Sequence, residues 1–245
     1  MLGPLQARVD DIPVLDWPHG RCRALLGYLV FHRRPASTDQ LTDVFWPGDR
    51  PPSARNNLHV AIHALRRAFR EITGWPMVLH TRAGYGLNPK LALCTDLQDF
   101  ERCVQSGRTH ESAGCFAAAL EDYLQAAALH RGPLLSPDAD ELWVLVPREQ
   151  LRLAHLEILD DLSRLQHAHG SYHDAVAACL RLLAADPCRE SAHRRLMSCH
   201  LRQDLAHLAL AQFRTCERVL AEQYAMRPSP QTINLAERIR RHQTL

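Results

Sequence analysis

A Gly-x-aromatic-x-x-Ala pattern occurs twice in the second half of this 245-residue chain, as Gly114, Phe116, Ala119 and as Gly170, Tyr172, Ala175. A degenerate third copy, Asp204, Ala206, Ala209, begins 34 residues after Gly170. A repeat of that length is the mark of helix pairs stacked side by side, with small residues where paired helices approach closely. From Thr95 onward glycine is rare and alanine and leucine dominate. Asp186-Pro187 and Pro228 stand where helices of such pairs end. Leu151, Leu156, Leu159, Leu162 and Leu165 fit the buried stripe of one of these helices. A helical bundle without true repeats is the alternative, since the third copy is so degenerate.

Residues 96–245 are therefore expected to form an α-helical, tetratricopeptide-like repeat domain. Residues 1–92 read as a separate small mixed domain, so the whole chain is mainly α with small β elements. Leu5, Ala7 and Val9 alternate with Gln6 and Arg8, Asp10-Asp11 interrupts, and Ile12, Val14 and Leu15 follow, which predicts strand, turn and strand. Cys22, Leu25, Leu26, Leu29 and Val30 then fall at helical spacing. Ser37 with Gln40 fits a capping box for a short helix that carries Leu41, Val44 and Phe45 inward and has Trp46 at its end.

After Pro51-Pro52 the pattern predicts a longer helix from near Ser53 to Ile72, stopped by Gly74. Leu58, Ile62, Leu65, Phe69 and Ile72 form its apolar face, with Ala61 and Ala68 beside it. The other face carries Arg55, Asn56, His59, Val60, His63, Arg66, Arg67 and Arg70, with Asn57 at the margin and Glu71 as the one acidic residue. Such a face can follow a phosphate backbone while offering amides to base edges. Val78-Leu79 and Thr81-Arg82-Ala83-Gly84-Tyr85-Gly86-Leu87 suggest a hairpin with an arginine near its tip.

Charge divides along the same line. Residues 1–90 hold 12 Lys+Arg against 7 Asp+Glu, while residues 91–245 hold 17 against 20. A basic first part points to an anionic partner such as nucleic acid or a membrane surface. No stretch approaches the roughly 18 apolar residues of a membrane span, and the N-terminus lacks the uninterrupted apolar core of a signal peptide. A soluble, cytoplasmic protein without membrane association is expected. The eight cysteines include no CxxC pair, and His59 and His63 lack a third ligand, so neither a metal nor a cofactor is expected. No nucleophile elbow, phosphate loop or carboxylate pair in a site context suggests an enzyme. The chain starts close to its first expected strand, as a segment of a larger regulator would.

Leu41-Thr42-Asp43-Val44-Phe45-Trp46, the run from Ala54 to Phe69 and Arg82-Ala83-Gly84-Tyr85 resemble the OmpR-type winged helix-turn-helix DNA-binding domain. More closely, they resemble its version in the Streptomyces antibiotic regulatory protein (SARP) family. There a bacterial transcriptional activator domain follows directly, and residues 96–245 resemble that domain, including Asp140-Glu141-Leu142-Trp143 with Arg148 and Leu151. The resemblance implies a transcriptional activator on double-stranded DNA, with self-association as a homodimer on direct repeats and contact with RNA polymerase. It implies base reading by Arg55 to His63: amides of Asn56 and Asn57 for adenine, Arg55 for guanine or phosphate, Val60 for a thymine methyl, with His59 and His63 alongside. Arg66, Arg67 and Arg70 would bind phosphates and set register. Trp46 matches the position that abuts the DNA backbone, a buried tryptophan being the alternative, and Arg82 matches the wing arginine. The family's arginine after the wing tyrosine is here Gly86, which implies a smaller contribution of the wing. A regulatory adaptor, whose helical repeats bind a partner protein or ligand, is the competing expectation.

Overall fold

The structure is a computed structural model that describes all residues except 11, 16, 19, 49, 138 and 243–245, and the backbone but not the side chain of Glu71. The expected turn residue Asp11 and the side chain of the helical acid Glu71 lie outside that description. Two compact units form: Met1–Asp99 with Leu129–Arg152, and Phe100–Ala128 with Leu153–Leu245.

In the N-terminal unit, β1 (Arg8–Val9) pairs antiparallel with β2 (Ile12–Pro13). The strands are shorter than the alternation suggests. Pro13 has no amide hydrogen to extend a ladder, and Ile12 and Leu15 are exposed while Val14 is buried. Helix α1 (Cys22–His32) buries Cys22, Leu25, Leu26, Leu29 and Val30, the stripe read from sequence. Helix α2 (Thr38–Phe45) opens on the expected capping box: Gln40 N donates to Ser37 Oγ at 3.1 Å and Ser37 N to Gln40 Oε1 at 2.9 Å. Helix α3 (Pro51–Thr73) begins two residues earlier than expected. Its two prolines occupy the first turn, where amide hydrogens have no intrahelical acceptor. Gly74, left-handed at φ 69°, ends it.

β3 (Val78–Thr81) and β4 (Gly84–Leu87) form the expected hairpin. β4 also pairs with the chain just before α2, where Ala36 and Tyr85 exchange backbone hydrogen bonds of 2.8 and 2.9 Å. Leu58, Ile62, Leu65 and Phe69 of α3 join α1, α2 and Val78 in one core. Nothing in the periodicity announces that residues 129–152 return to this core. Leu134, Leu135, Ala139 and Val144 are buried in it, and Trp143 stacks edge-on with Tyr28 at 5.0 Å between ring centroids. The Arg148 guanidinium pins the segment by donating to the carbonyls of Leu134 and Ala139.

The second unit draws on α4 (Asp96–Ser112), α5 (Phe116–Leu129), α6 (Leu145–Ala168), α7 (Tyr172–Ala185), α8 (Glu190–Arg202), α9 (Ala206–Tyr224) and α10 (Pro230–His242), α6 following a 3-10 turn at Leu142–Val144. Its repeat is explicit in the backbone. Gly114, Gly170 and Asp204 are all left-handed, at φ 76°, 79° and 60°. After each, the next amide bonds back five residues, Cys115 to His110, Ser171 to Gln166 and Leu205 to His200. This is the Schellman closure of a helix C-terminus, made three times. Ala119, Ala175 and Ala209 are each fully buried at equivalent positions. The degenerate third copy is thus a structural repeat, with aspartate accepting the left-handed turn that glycine takes in the others. Close packing shows within the first pair: a Cβ on Gly107 would stand 2.5 Å from the Tyr123 ring.

One buried and three half-buried histidines are expected to make this fold acid-sensitive. His193 is 1 % exposed, 2.9 Å from Pro187 O through Nε2 and 2.6 Å from the Gln212 amide through Nδ1. A carbonyl only accepts, so Nε2 carries the proton of a neutral ring. Burial lowers its pKa, and burial likewise lowers those of His32, His167 and His200. Above about pH 6.5 both folded and unfolded chains hold these rings neutral; below it the unfolded chain takes up protons that the folded chain refuses. Stability is therefore expected to fall as pH drops through that value. Urea midpoints at about pH 7.5 and about pH 5.5 check it, and equal midpoints would contradict it.

Candidate nucleic-acid interface

Helix α3 presents one continuous exposed stripe, polar except for Val60. Asn56, Val60, His63, Arg67 and Arg70 recur at spacings of four and three, which places them on one side of the helix, and all are exposed. From first to last they cover about 21 Å at 1.5 Å per residue. His59, also exposed, adjoins the stripe, its ring 6.5 Å from that of Tyr85. Val60 is 61 % exposed in the middle of this polar face, where burial would be expected of a core residue. Arg55 and Asn57 stand exposed at its two margins.

Arg66 and Arg55 each donate an intramolecular hydrogen bond. Arg66 is half-buried, and its Nε donates to Val78 O at 2.8 Å, fastening α3 to β3. Arg55 Nη2 donates to Asp39 Oδ1 of α2 at 3.1 Å, a contact that helical spacing alone does not reveal. Trp46 is half-buried: it packs against the core beside Phe45 at 6.1 Å, with the Arg21 guanidinium 5.9 Å from its ring. It also borders a cleft of about 670 Å³ between α2 and the start of α3, lined in addition by Asp39, Thr42, Asp43 and Arg55. The side chain is thus partly anchored in the core and partly open to the surface.

Arg82 occupies the exposed tip of the β3–β4 hairpin. The tip is held by Thr81, whose Oγ accepts from Ala83 N at 3.2 Å and donates to Gly84 O at 3.1 Å. The hairpin base is set by Tyr85, which is buried. Gly86, where the resembling family carries arginine, is buried too, and a Cβ there would lie 3.1 Å from Pro35 Cγ and 3.3 Å from Pro35 Cα. An arginine at 86 would have to push Pro35 aside before reaching solvent.

The remaining reactive groups do not gather. Among the described residues no group of three His, Cys, Asp or Glu side chains could hold a metal ion, and no helix is long and apolar enough to cross a membrane. Cys22, Cys103, Cys179, Cys199 and Cys216 are buried, and burial pushes the Cys199 thiol up to about 11 and that of Cys216 up to about 12, so these two stay protonated.

The family model of the bacterial transcriptional activator domain matches residues 95–240. The chain belongs to that family. Among similar proteins, the transcriptional regulatory protein EmbR of Mycobacterium tuberculosis is 30% identical over 254 residues, covering 100% of this chain and 63% of EmbR. The transcriptional regulatory protein MoaR1 of the same organism is 26% identical, covering 94% of this chain and 75% of MoaR1. The regulatory protein AfsR of Streptomyces coelicolor is 25% identical, covering 98% of this chain and 24% of AfsR. A solved structure of M. tuberculosis EmbR in complex with a low-affinity phosphopeptide superposes with a TM-score of 0.79 at 26% identity, covering 98% of this chain and 64% of that one. The chain thus spans about two-thirds or less of the EmbR and AfsR relatives it matches.

Proposed function

We propose that this chain is a sequence-specific DNA-binding transcriptional activator that binds direct repeats in promoters and recruits RNA polymerase. Residues 1–92 are read as an OmpR-type winged helix and residues 96–245 as the activator domain of the SARP type. The single observation that carries the proposal is the exposed stripe of α3, with amides, an apolar contact point and guanidinium groups along one side. Strand pair, three helices and hairpin follow in the order such a domain requires. Names of the relatives, all regulators, support the same reading.

In this reading α3 enters the major groove, about 12 Å wide, and the hairpin tip reaches the adjoining minor groove. Asn56 and Asn57 offer amides to adenine, Val60 meets a thymine methyl, and His59 and His63 adjoin them. Arg67, Arg70 and Arg82 take phosphates, with Trp46 against the backbone, and Arg66 serves mainly to hold the helix in place. A homodimer on tandem sites places two copies of the chain along the DNA.

Two substitutions separate affinity from preference. Arg82→Ala is expected to weaken binding to every duplex and to lower the log–log salt slope by about one unit. Asn57→Ala is expected to relax preference at individual base pairs, at about 1–3 kcal/mol on the best site. Titration of both variants against a panel of single-base substitutions checks this. If wild type and Asn57→Ala rank the duplexes identically, the role given to Asn57 is wrong. The competing adaptor reading, supported by the helical unit and by the phosphopeptide in the EmbR structure, gains if no duplex is selected at all.

A further inference from the structure

Arg55 is not a loose cation. It stands in the second turn of α3, and its guanidinium meets the Asp39 carboxylate of α2 at 3.1 Å, with 57% of the arginine side chain and 74% of the aspartate side chain exposed. An exposed pair of this kind adds little to stability. What it does supply is direction. Asp39 belongs to the first turn of α2, whose backbone is fixed by the Ser37–Gln40 capping box. Its stem is therefore held beside α3, with the carboxylate in reach of Arg55. Asp43 lies one helical turn further along α2 and borders the same cleft as Asp39 and Arg55.

The Asp39 carboxylate bears on which acceptor suits Arg55. A phosphate drawn to the guanidinium would come to rest against Asp39, where like charges repel. The O6 and N7 atoms of guanine are neutral acceptors that fit the arginine fork, and they leave the Asp39 contact intact. A carboxylate beside them is also a suitable acceptor for the N4 amino group of cytosine. We infer that Asp39 is a positioning and specificity-determining residue that commits Arg55 to the edge of a guanine and away from phosphate. The inference rests on the DNA-binding reading and narrows it to a G·C pair read from the start of α3.

The test uses the full chain. Duplexes selected by wild type from a random-sequence pool are remade with each G·C pair replaced in turn, and wild type is titrated beside Asp39→Asn, Asp39→Glu, Arg55→Ala and the double variant Asp39→Asn/Arg55→Ala. Asp39→Asn keeps the shape of the side chain and leaves the capping box untouched, so its helical signal should match wild type and its urea midpoint should fall only slightly. It is expected to lose roughly tenfold in discrimination at one G·C pair, and to bind random duplexes at least as tightly, with the salt slope raised by about one as Arg55 turns to phosphate. Arg55→Ala should lose preference at that same pair, the double variant should lose no more, and Asp39→Glu should restore part of it. Unchanged preference in Asp39→Asn overturns the positioning role. So does an Arg55→Ala variant that is weakened equally on all duplexes with the slope lowered by about one. A wild-type chain that selects no sequence instead overturns the DNA-binding reading itself, and this inference with it.

Discussion

Gly84→Ala is expected to destabilise the N-terminal unit by about 2–6 kcal/mol, a large part of the stability of an ordinary domain. Gly84 sits at φ 117°, which side-chain-bearing residues rarely adopt, and an added Cβ would stand 2.0 Å from Ala36 O, 2.5 Å from Ala36 C and 2.8 Å from Ser37 Cα. All three are backbone atoms, so no side-chain rotation relieves the clash. The backbone pairing between Ala36 and Tyr85 must open, and opening it moves both the hairpin and the N-cap of α2. Gly114→Ala is the control. Its φ of 76° is also left-handed, but a Cβ there meets nothing within 4 Å, so only the backbone cost of about 1–2 kcal/mol remains. Urea unfolding of both variants tests the comparison. Equal losses would mean that the hairpin is not locked to Ala36 as described.

Reversing two charges of the α3 stripe should have the largest effect on the proposed activity. Arg67 and Arg70 are exposed near the C-terminal end of the stripe, where phosphate contacts would set the register of the helix in its groove. Each charged hydrogen bond lost costs about 1.5–3 kcal/mol, so Arg67→Glu/Arg70→Glu is expected to weaken every duplex by at least about a hundredfold. The log–log salt slope should fall by two units or so. Both side chains are exposed, and the urea midpoint of the variant separates a loss of binding from a loss of fold. Binding within a few-fold of wild type at about 150 mM salt would remove this face from the interface.

Much of the fold was legible because it is local. The α1 stripe, the Ser37–Gln40 box, the α3 apolar face and the turn at Arg82 each need only neighbouring residues, and the structure has all four. The third repeat copy was weak in letters yet unmistakable in backbone, because a left-handed turn followed by a buried alanine tolerates Asp204 as well as glycine. Contacts between residues distant in sequence were not legible. The return of residues 129–152 to the N-terminal core, with Leu135 filling the space that Gly27 leaves, has no periodic signature. Nor has the bond from Arg66 to Val78 O, which turns one of four arginines on α3 inward. The departure at Gly86 was visible as a letter, but the neighbour that a side chain there would crowd, Pro35, belongs to tertiary packing.

Selection of random duplexes by the 245-residue chain, followed by footprinting of the enriched sequence, is the decisive test of the proposed function. One enriched motif is expected, repeated in the same orientation, with protection over both copies that Arg67→Glu/Arg70→Glu abolishes. Duplexes bound without enrichment, at an affinity that depends on salt but not on sequence, would contradict it.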